Sequence, residues 1–283
     1  IAEVLDTPID LKVSPAEQEK TSYHVEFDHV SFSYRKKEYN VQDISFRLKR
    51  GETLGIIGAT GCGKSTLMSL LMRLYYADRG VIQIAGRKLD SIPTEELHTK
   101  FGVVFQNDVL FADTIYENID FGRHLPREEI EKAARCAQAM EFISSLPDGF
   151  SHMLTPKGTN LSGGQKQRLL VARALAGRPE ILILDDSSSA LDYKTDSLLR
   201  QALRQEYSGV TTIIIAQRIS SILHADHILV LEDGRELGYG SHEDLLKTCE
   251  IYREISRSQM GERGAGQTGP GTPVEAECCK EVS

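Results

Sequence analysis

The chain has 283 residues, of which 40% are hydrophobic and 26% charged, with a formal net charge of -8 at pH 7. This length and composition suit a globular protein of one large domain or two small ones, and the acidic charge argues against nucleic acid or anionic lipid as the main partner. The sequence contains neither the roughly 18 to 20 apolar residues of a membrane-spanning helix nor the charged and apolar parts of a signal peptide.

The chain begins with a polar segment, residues 1–22, which contains Pro8, Pro15 and a run rich in Glu and Lys. This composition is typical of a linker. Because the first residue is Ile1 rather than Met, we expect the chain to be a fragment of a longer protein.

Two alternating segments and one apolar run predict the first β-strands. Side chains from Tyr23 to Tyr34 alternate as in a half-buried strand, and residues 44–49 alternate in the same way. We therefore predict an antiparallel start to the fold. The run from Thr53 to Ile57 predicts a short apolar strand that ends in a glycine loop.

Strands and helices alternate in the middle of the chain. Hydrophobic periodicity predicts helices from Glu128 to Ser145 and from Ser162 to Leu175. The continuous apolar runs Ile181–Leu184 and Thr212–Ala216 are typical of strands buried on both faces of a parallel sheet. This pattern predicts an α/β fold with an antiparallel front and a helical insert near residues 107–175.

The composition changes towards the end of the chain. A further predicted strand, Ile228–Leu231, precedes a turn at Glu232–Gly234, and residues 259–283 are rich in glycine and proline without periodicity. Such a segment buries too little apolar surface to offset chain ordering, so we predict a disordered tail. The five cysteines have no metal-ligand or disulfide-framework spacing and are interpreted as reduced cytosolic thiols, with lipidation of Cys278 and Cys279 as the alternative.

The sequence GATGCGKST, residues 58–66, lies between a predicted strand and a predicted helix. Gly58, Gly63, Lys64 and Ser65 fit the phosphate-loop pattern G-x-x-x-x-G-K-[ST]. Glycines allow backbone N–H groups to approach phosphate oxygens, and the start of a helix attracts anions. Lys64 can reach the terminal phosphates and Ser65 can offer a hydroxyl to magnesium; the alternative is a glycine-rich turn with a capping serine.

A second motif, ILILDD at residues 181–186, places Asp185 at the carboxyl end of a predicted strand. A carboxylate there can hold magnesium opposite Ser65. An acidic pair after a strand is by itself more often a helix N-cap, but its occurrence together with a phosphate loop favours the metal interpretation.

The sequence LSGGQ, residues 161–165, marks a second helix start with glycines. Ser162 lies where the helix begins, and Gly163 and Gly164 expose backbone N–H groups there, which makes a second anion site. A capped helix with a glycine start does not explain why both sites occur together, so we expect two nucleotides or two chains.

Together these motifs resemble the nucleotide-binding domains of ABC transporters, from about residue 23 to residue 258. The resemblance implies a P-loop NTPase fold of the RecA-like type, with a parallel-sheet core, and ATP and Mg²⁺ as ligands. In that family two domains meet head to tail, and each buries ATP between its own phosphate loop and the partner's signature sequence, LSGGQ.

The resemblance also assigns roles to individual residues. The implied ATP-binding residues are Tyr34, which matches the aromatic that stacks on adenine, and Gly58, Thr60, Gly61, Cys62, Gly63, Lys64, Ser65 and Thr66. The implied magnesium ligands are Ser65, Gln106 and Asp185. The implied signature contacts to the partner's ATP are Ser162, Gly163, Gly164 and Gln165. The implied catalytic residues are Asp186, Gln106 of the Q-loop and Gln217 at the switch position, with Asp192 in the D-loop.

Two segments indicate the exporter subtype. Residues 104–119 are similar to the exporter segment after the Q-loop that receives a helix of the transmembrane domain, and residues 1–8 are similar to the linker that leaves the last membrane helix. We therefore expect a transmembrane domain fused upstream of this chain and a location at the cytoplasmic face of the membrane.

Three features depart from the family pattern. Asp186 stands where the family has a catalytic glutamate, which is one methylene longer, and a misplacement of about 1 Å can cost roughly 10²-fold in rate. Gln217 replaces the switch histidine; it can hydrogen-bond a phosphate but cannot carry a proton. Pro156 and Lys157 stand where exporters often have Glu-Arg.

We interpret the chain as a subunit whose own site binds ATP but hydrolyses it poorly, while its intact signature serves the partner in a heterodimer. The alternative is a working variant in which Asp186 positions water adequately. Two other function classes stay open, a soluble ABC ATPase of DNA repair or translation and a regulatory nucleotide-binding module. The former usually carries paired domains or a long coiled-coil insert, and the sequence contains neither.

Overall fold

The computed structural model describes residues 21–185 and 193–260, which form two β-sheets with helices packed on them. The strands are β1 (Val25–Phe32), β2 (Val41–Leu48), β3 (Thr53–Gly58), β4 (Arg79–Ile84), β5 (Arg87–Lys88), β6 (Phe101–Val104), β7 (Ile181–Asp185), β8 (Thr211–Ala216), β9 (His227–Glu232) and β10 (Arg235–Gly240). The α-helices are α1 (Lys64–Leu71), α2 (Thr94–Thr99), α3 (Ile115–Asp120), α4 (Arg127–Cys136), α5 (Met140–Ser145), α6 (Gly163–Ala176), α7 (Tyr193–Glu206), α8 (His242–Thr248) and α9 (Glu250–Met260).

The first sheet is antiparallel and has the strand order β2-β1-β4-β5. Val25 of β1 pairs with Leu48 on one side and with Ile84 on the other. The alternating apolar side chains meet on its inner face, where the rings of Phe27 and Phe46 stack with centroids 4.5 Å apart. The antiparallel start predicted from the alternation is confirmed.

The second sheet has the order β10-β9-β3-β8-β7-β6 and is parallel except for the β9–β10 hairpin. Asp233 and Gly234 form the predicted turn of this hairpin, with φ angles of 45° and 76°, as a two-residue type I′ turn requires. Because parallel strands end at the same edge of a sheet, Gly58, Asp185 and Ala216 lie at one edge.

Successive side chains of the parallel strands face two different cores, because strand residues alternate between the two faces of a sheet. Ile183 and Ile213 pack with the antiparallel sheet and α1, whereas Leu182 and Ile214 pack with α4 and α6. All six residues of β8 are buried. The predicted α/β fold with strands covered on both faces is confirmed.

The prediction of one helix over Glu128–Ser145 is wrong, because α4 ends at Cys136 and α5 begins at Met140. Between them Gln138 has a left-handed φ of 58°, which a continuing α-helix does not contain. The carbonyl oxygen of Gln138 accepts a hydrogen bond at 3.0 Å from Nη1 of Arg168, 30 residues away. This contact between distant residues stabilises the break, and the local hydrophobic periodicity of the sequence cannot predict it.

The helix predicted from Ser162 is confirmed as α6, with Ser162 as its N-cap. Helices α3 to α6 occupy most of the predicted insert, residues 107–175, whose bounds remain a prediction, as do those of the domain, 23–258. Within the described part of the chain, no helix is both long enough and apolar enough to cross a bilayer.

Candidate functional site

The loop between β3 and α1 has a backbone that leaves no room for a side chain at two positions. A Cβ atom on Gly58 would lie 2.2 Å from the carbonyl oxygen of Leu231, and one on Gly63 would lie 2.7 Å from Cγ1 of Val41. Gly63 also has a φ of 103°, which residues with side chains rarely adopt. The neighbouring strands therefore hold the loop closely, and the free N–H groups of the first turn of α1 begin where it ends.

Lys64, the first residue of α1, folds its side chain back along this loop. Its Nζ atom donates to the backbone oxygens of Gly58 and Ala59, both at 2.8 Å. The sulfur of Cys62 lies 3.8 Å from the same Nζ and is a weak acceptor. The two carbonyl oxygens therefore fix the ammonium at the loop. Among the described residues its third N–H has only the weakly accepting sulfur as partner, and a phosphate oxygen can replace that sulfur as the acceptor.

Separate segments of the chain meet in one cleft at the carboxyl edge of the parallel sheet. The cleft is lined by Thr60, Gly61, Gly63, Lys64, Ser65, Thr66, Gln106, Asp185, Ile215 and Gln217. Gln106 follows β6, Asp185 ends β7 and Gln217 follows β8. The parallel register, in which Asp185 pairs with Ile215, thus brings together side chains that the sequence analysis selected from distant motifs.

The donor groups in this cleft fit a magnesium ion held beside a phosphate. Ser65 supplies a hydroxyl, Gln106 a carboxamide oxygen and Asp185 a carboxylate, and Mg²⁺ takes oxygen ligands of these kinds. Magnesium also keeps several sites for water and substrate oxygens, so that a complete protein cage is not required.

Tyr34 lies beside the start of α1 and is partly exposed. Its hydroxyl donates to Oγ1 of Thr66 at 3.4 Å, and its side chain is 46% exposed. The ring meets Phe32 edge-on at 4.8 Å and Tyr75 edge-on at 5.0 Å between centroids. Edge-to-face packing against two neighbours fixes the plane of the ring, and almost half of the residue stays accessible to a ligand. The sequence analysis missed Tyr75; its one signal is the exposed aromatic pair Tyr75-Tyr76 shortly after α1.

The signature residues do not line this cleft and lie on a separate exposed surface at the start of α6. Ser162 and Gln165 form a reciprocal capping box, in which Ser162 N donates to Gln165 Oε1 at 2.9 Å and Gln165 N to Ser162 Oγ at 3.3 Å. A Cβ atom on Gly163 would have no neighbour within 4 Å. Gly164 is half-buried. The cap holds the helix start in shape, and the space before Gly163 is open.

Some predicted residues fall outside the part of the chain that the structure describes. These are Asp186 and Asp192. Pro156 and Lys157, which depart from the exporter pattern, belong to an exposed 3₁₀ turn in which Lys157 has a left-handed φ of 59°.

An apolar surface lies on and around the segment that follows the cleft residue Gln106. Its exposed members are Phe105, Val109, Phe111, Phe121 and Met153. Arg173 of α6 is buried and donates to the backbone oxygen of Val109 at 2.9 Å, while its guanidinium carbon lies 4.8 Å from the ring centroid of Phe121. Burial lowers the pKa of Arg173. The helix that begins at the signature therefore also supports the segment after Gln106.

Comparison with known proteins places this geometry among relatives of one kind. The family model described as "ABC transporter" matches residues 41–189. The chain is 43% identical over 267 residues to the uncharacterized ABC transporter ATP-binding protein YfiB of Bacillus subtilis, which covers 94% of this chain and 46% of that protein. It is 39% identical over 258 residues to the ATP-dependent lipid A-core flippase of Legionella pneumophila, covering 91% of this chain and 44% of that protein.

A solved structure of an ABC exporter has the same fold over most of this chain. The structure of a bacterial Atm1-family ABC exporter with ATP bound superimposes with a TM-score of 0.83 at 38% sequence identity, covering 92% of this chain and 47% of that chain. The chain therefore spans a little under half the length of each of these relatives. The predicted P-loop NTPase fold is confirmed by this match and by the family model.

Proposed function

Since the chain belongs to the ABC transporter family, we propose that it is the ATP-binding motor domain of an exporter and that it binds MgATP at an interface with a second such domain. The observation that carries this proposal is the single cleft shared by Lys64, Ser65, Gln106, Asp185 and Gln217. Together these residues offer the cationic donor and the oxygen ligands that a triphosphate with its magnesium requires.

In the proposed binding mode each part of the site has its own task. Backbone N–H groups of the glycine loop and the Lys64 ammonium bind phosphate oxygens, because several charge-assisted hydrogen bonds converge there. Tyr34 offers its partly exposed ring to the base. Magnesium, held by Ser65, Gln106 and Asp185, would neutralise phosphate charge.

The exporter role is supported by the relatives. The Legionella protein is described as a flippase and the superimposed structure as an exporter. We propose that this chain likewise works with a transmembrane domain, fused upstream, at the cytoplasmic face of a membrane. The exposed apolar surface after Gln106 is a suitable place for that domain to dock, since it adjoins the cleft residue Gln106 in the chain.

We further propose that hydrolysis at this chain's own site is impaired. Asp186 is one methylene shorter than the glutamate of the family, and the Gln217 carboxamide cannot exchange a proton as an imidazole does. The intact signature with its open space before Gly163 then serves the ATP of a partner subunit. This makes the functional unit a heterodimer.

The binding part of the proposal is tested by calorimetric titration of the full chain with MgATP. We expect the wild type to bind and Lys64→Ala to lose most of its affinity, because a charge-assisted contact is removed. Lys247→Ala, at an exposed lysine of α8 that does not line the cleft, is the matched control and should bind normally. Equal affinity of wild type and Lys64→Ala would refute the assignment.

The catalytic part is tested in the complete transporter. Asp186→Glu combined with Gln217→His should raise ATP turnover at this site, and each single change should do less, because both side chains act on the same reacting groups. No increase in the double variant would mean that Asp186 already positions water adequately or that another step limits turnover, and the impaired-site proposal would then be withdrawn.

A further inference from the structure

The last described helix, α9, is anchored by one face and reaches the loop after β8. Tyr252 is fully buried, with its hydroxyl 2.7 Å from Nδ1 of His242, and Ser256 is 2% exposed. Tyr252, Ser256 and Gln259 share one face of the helix, because residues i, i+4 and i+7 lie along a single stripe. The anchored helix therefore carries Gln259 to the same side of the molecule as the cleft residue Gln217.

The carboxamide of Gln259 bridges two backbone groups on either side of Arg218. The N–H of Ile219 donates to Gln259 Oε1 at 2.8 Å, and Gln259 Nε2 donates to the carbonyl oxygen of Gln217 at 2.9 Å. The opposite orientation of the amide would set donor against donor and acceptor against acceptor. Both contacts therefore fix one orientation of the Gln259 side chain.

This bridge acts on the backbone that carries the switch residue. Ile219 begins the 3₁₀ turn Ile219–Ser221, and the first N–H groups of such a turn have no partner within it. Gln259 supplies that partner and at the same time holds the carbonyl of Gln217, whose side chain lines the cleft. The orientation of this peptide group sets the direction of the Cα–Cβ bond of Gln217, and with it the region that the side chain can reach.

We propose that Gln259 is a positioning residue through which α9 sets the place of Gln217 in the cleft. This rests on the proposed function, and it takes the Gln217 carboxamide, which can hydrogen-bond a phosphate, to contact the terminal phosphate of ATP. Gln259 then governs the preference of the site for ATP over ADP, since only ATP has that phosphate.

The role differs from support of the fold. Ile219 and Ile222 are fully buried and already anchor the turn through their side chains, whereas Gln259 is exposed. Loss of an exposed side chain should therefore leave the stability of the chain nearly unchanged. What it removes is the constraint on the peptide group of Gln217.

The test uses the full chain, titrated separately with MgATP and MgADP. Gln259→Ala and the similarly sized Gln259→Met should lower the ratio of ATP affinity to ADP affinity by about three- to tenfold, the range expected for losing a pair of modest hydrogen bonds, with ADP affinity unchanged. Ser258→Ala, at the adjacent exposed position of α9, is the control and should keep the wild-type ratio. Hydrogen exchange at the Ile219 amide should accelerate in both Gln259 variants.

A double-mutant cycle completes the test. In a Gln217→Ala background, Gln259→Ala should cause no further fall in the ratio, because the two residues act in series. Equal losses of ATP and ADP affinity, or a normal ratio despite faster Ile219 exchange, would overturn the inference and leave Gln259 a purely structural residue. A wild-type chain that binds neither nucleotide would instead remove the proposed function, and this inference with it.

Discussion

Arg173 of α6 donates from Nε to the backbone oxygen of Asn118 at 2.8 Å and from Nη2 to the Asn118 side-chain oxygen at 3.0 Å, although the two residues are 55 positions apart. Asn118 in turn accepts from Phe111 N at 2.8 Å and donates to Phe111 O at 3.0 Å. The planar guanidinium and the carboxamide thus tie the helix of the signature to the segment after Gln106. The helix whose start is proposed to meet a partner's nucleotide is therefore joined by hydrogen bonds to the surface proposed to dock a transmembrane domain.

We expect Arg173→Met to lower the free energy of unfolding by about 3 kcal/mol, because several backbone and amide oxygens lose a charged donor in a buried place. Arg173→Lys should recover only part of this, since one ammonium cannot reproduce the fork of the guanidinium. Urea denaturation of the full chain measures both. Arg178→Met is the control: Arg178 pairs with Glu129, but its side chain is 69% exposed, so the cost should stay below about 1 kcal/mol. Equal costs at the two positions would contradict this view of Arg173.

Alanine substitutions at two glycines of the phosphate loop distinguish the cost of a left-handed backbone from the cost of a steric collision. Gly61 and Gly63 both have left-handed φ angles, 85° and 103°, but a Cβ on Gly61 would meet nothing within 4 Å. We expect Gly61→Ala to cost about 1 to 2 kcal/mol of unfolding free energy from conformation alone. Gly63→Ala should cost more, because its Cβ would also collide with Val41 and with the Asn40 carbonyl at 2.8 Å. Thermal unfolding measures both losses of stability. Similar losses for Gly61→Ala and Gly63→Ala would contradict the expected collision and show that the neighbouring strands move to accommodate the Cβ atom.

The signature can be altered without harm to the fold. Gly163 begins α6 with open space around its Cα, and a carboxylate at a helix start is favourable to the helix. Gly163→Asp should therefore leave the unfolding midpoint unchanged or slightly higher. In the complete transporter it should nevertheless abolish most ATP turnover, because the new charge would face the partner's phosphate.

Two comparisons decide whether the signature acts across an interface. Gly163→Ala should lose less turnover than Gly163→Asp, since it adds bulk without charge. Lys64→Ala should lose nucleotide binding to this chain and keep partial turnover at the partner's site. Full activity of a homodimer of this chain, or a silent Gly163→Asp beside an inactive Lys64→Ala, would reverse the proposed asymmetry.

A buried histidine makes the stability of the chain depend on pH. His24 is 3% exposed, with Nδ1 2.6 Å from Thr211 Oγ1 and Nε2 3.3 Å from the Glu180 carboxylate. Burial, followed by the charge of Arg50, lowers the pKa of His24, and this outweighs the contribution of Glu180, which raises it. The folded state therefore binds fewer protons than the unfolded state once the pH falls through about 6.5, and unfolding becomes easier.

We expect the free energy of unfolding to fall between pH 7.5 and pH 5.5, with at most about 1.4 kcal/mol per pH unit from His24. His242, whose pKa burial also lowers, contributes in the same direction. The part due to His24 is the difference in slope between wild type and His24→Gln, measured by urea denaturation across this range. Identical slopes would contradict the lowered pKa, because they would mean that His24 binds its proton equally well in the folded and unfolded chain.

Most of the residues that line the cleft could be predicted from the sequence, because they belong to short motifs. The glycine loop and the start of α6 are each a short continuous stretch of sequence. Glycine spacing specifies the backbone of the first, and the capping pair Ser162 and Gln165 specifies the second. The buried strands β7 and β8 were likewise predicted, since strands covered on both faces need continuous apolar side chains.

Other features were decided by tertiary structure alone. The break at Gln138, the bracing of Tyr34 by Tyr75, and the bridge from Gln259 to the switch loop join residues that are tens of positions apart, through single side chains of ordinary types. Periodicity and motif spacing describe which residues share a face or a loop, but not which elements will meet. The sequence determined what the site is made of. The packing of α6 on the sheet, and of α9 on α8 and on the turn after β8, determined how those residues are held, because a hydrogen bond between distant segments exists only once both are packed.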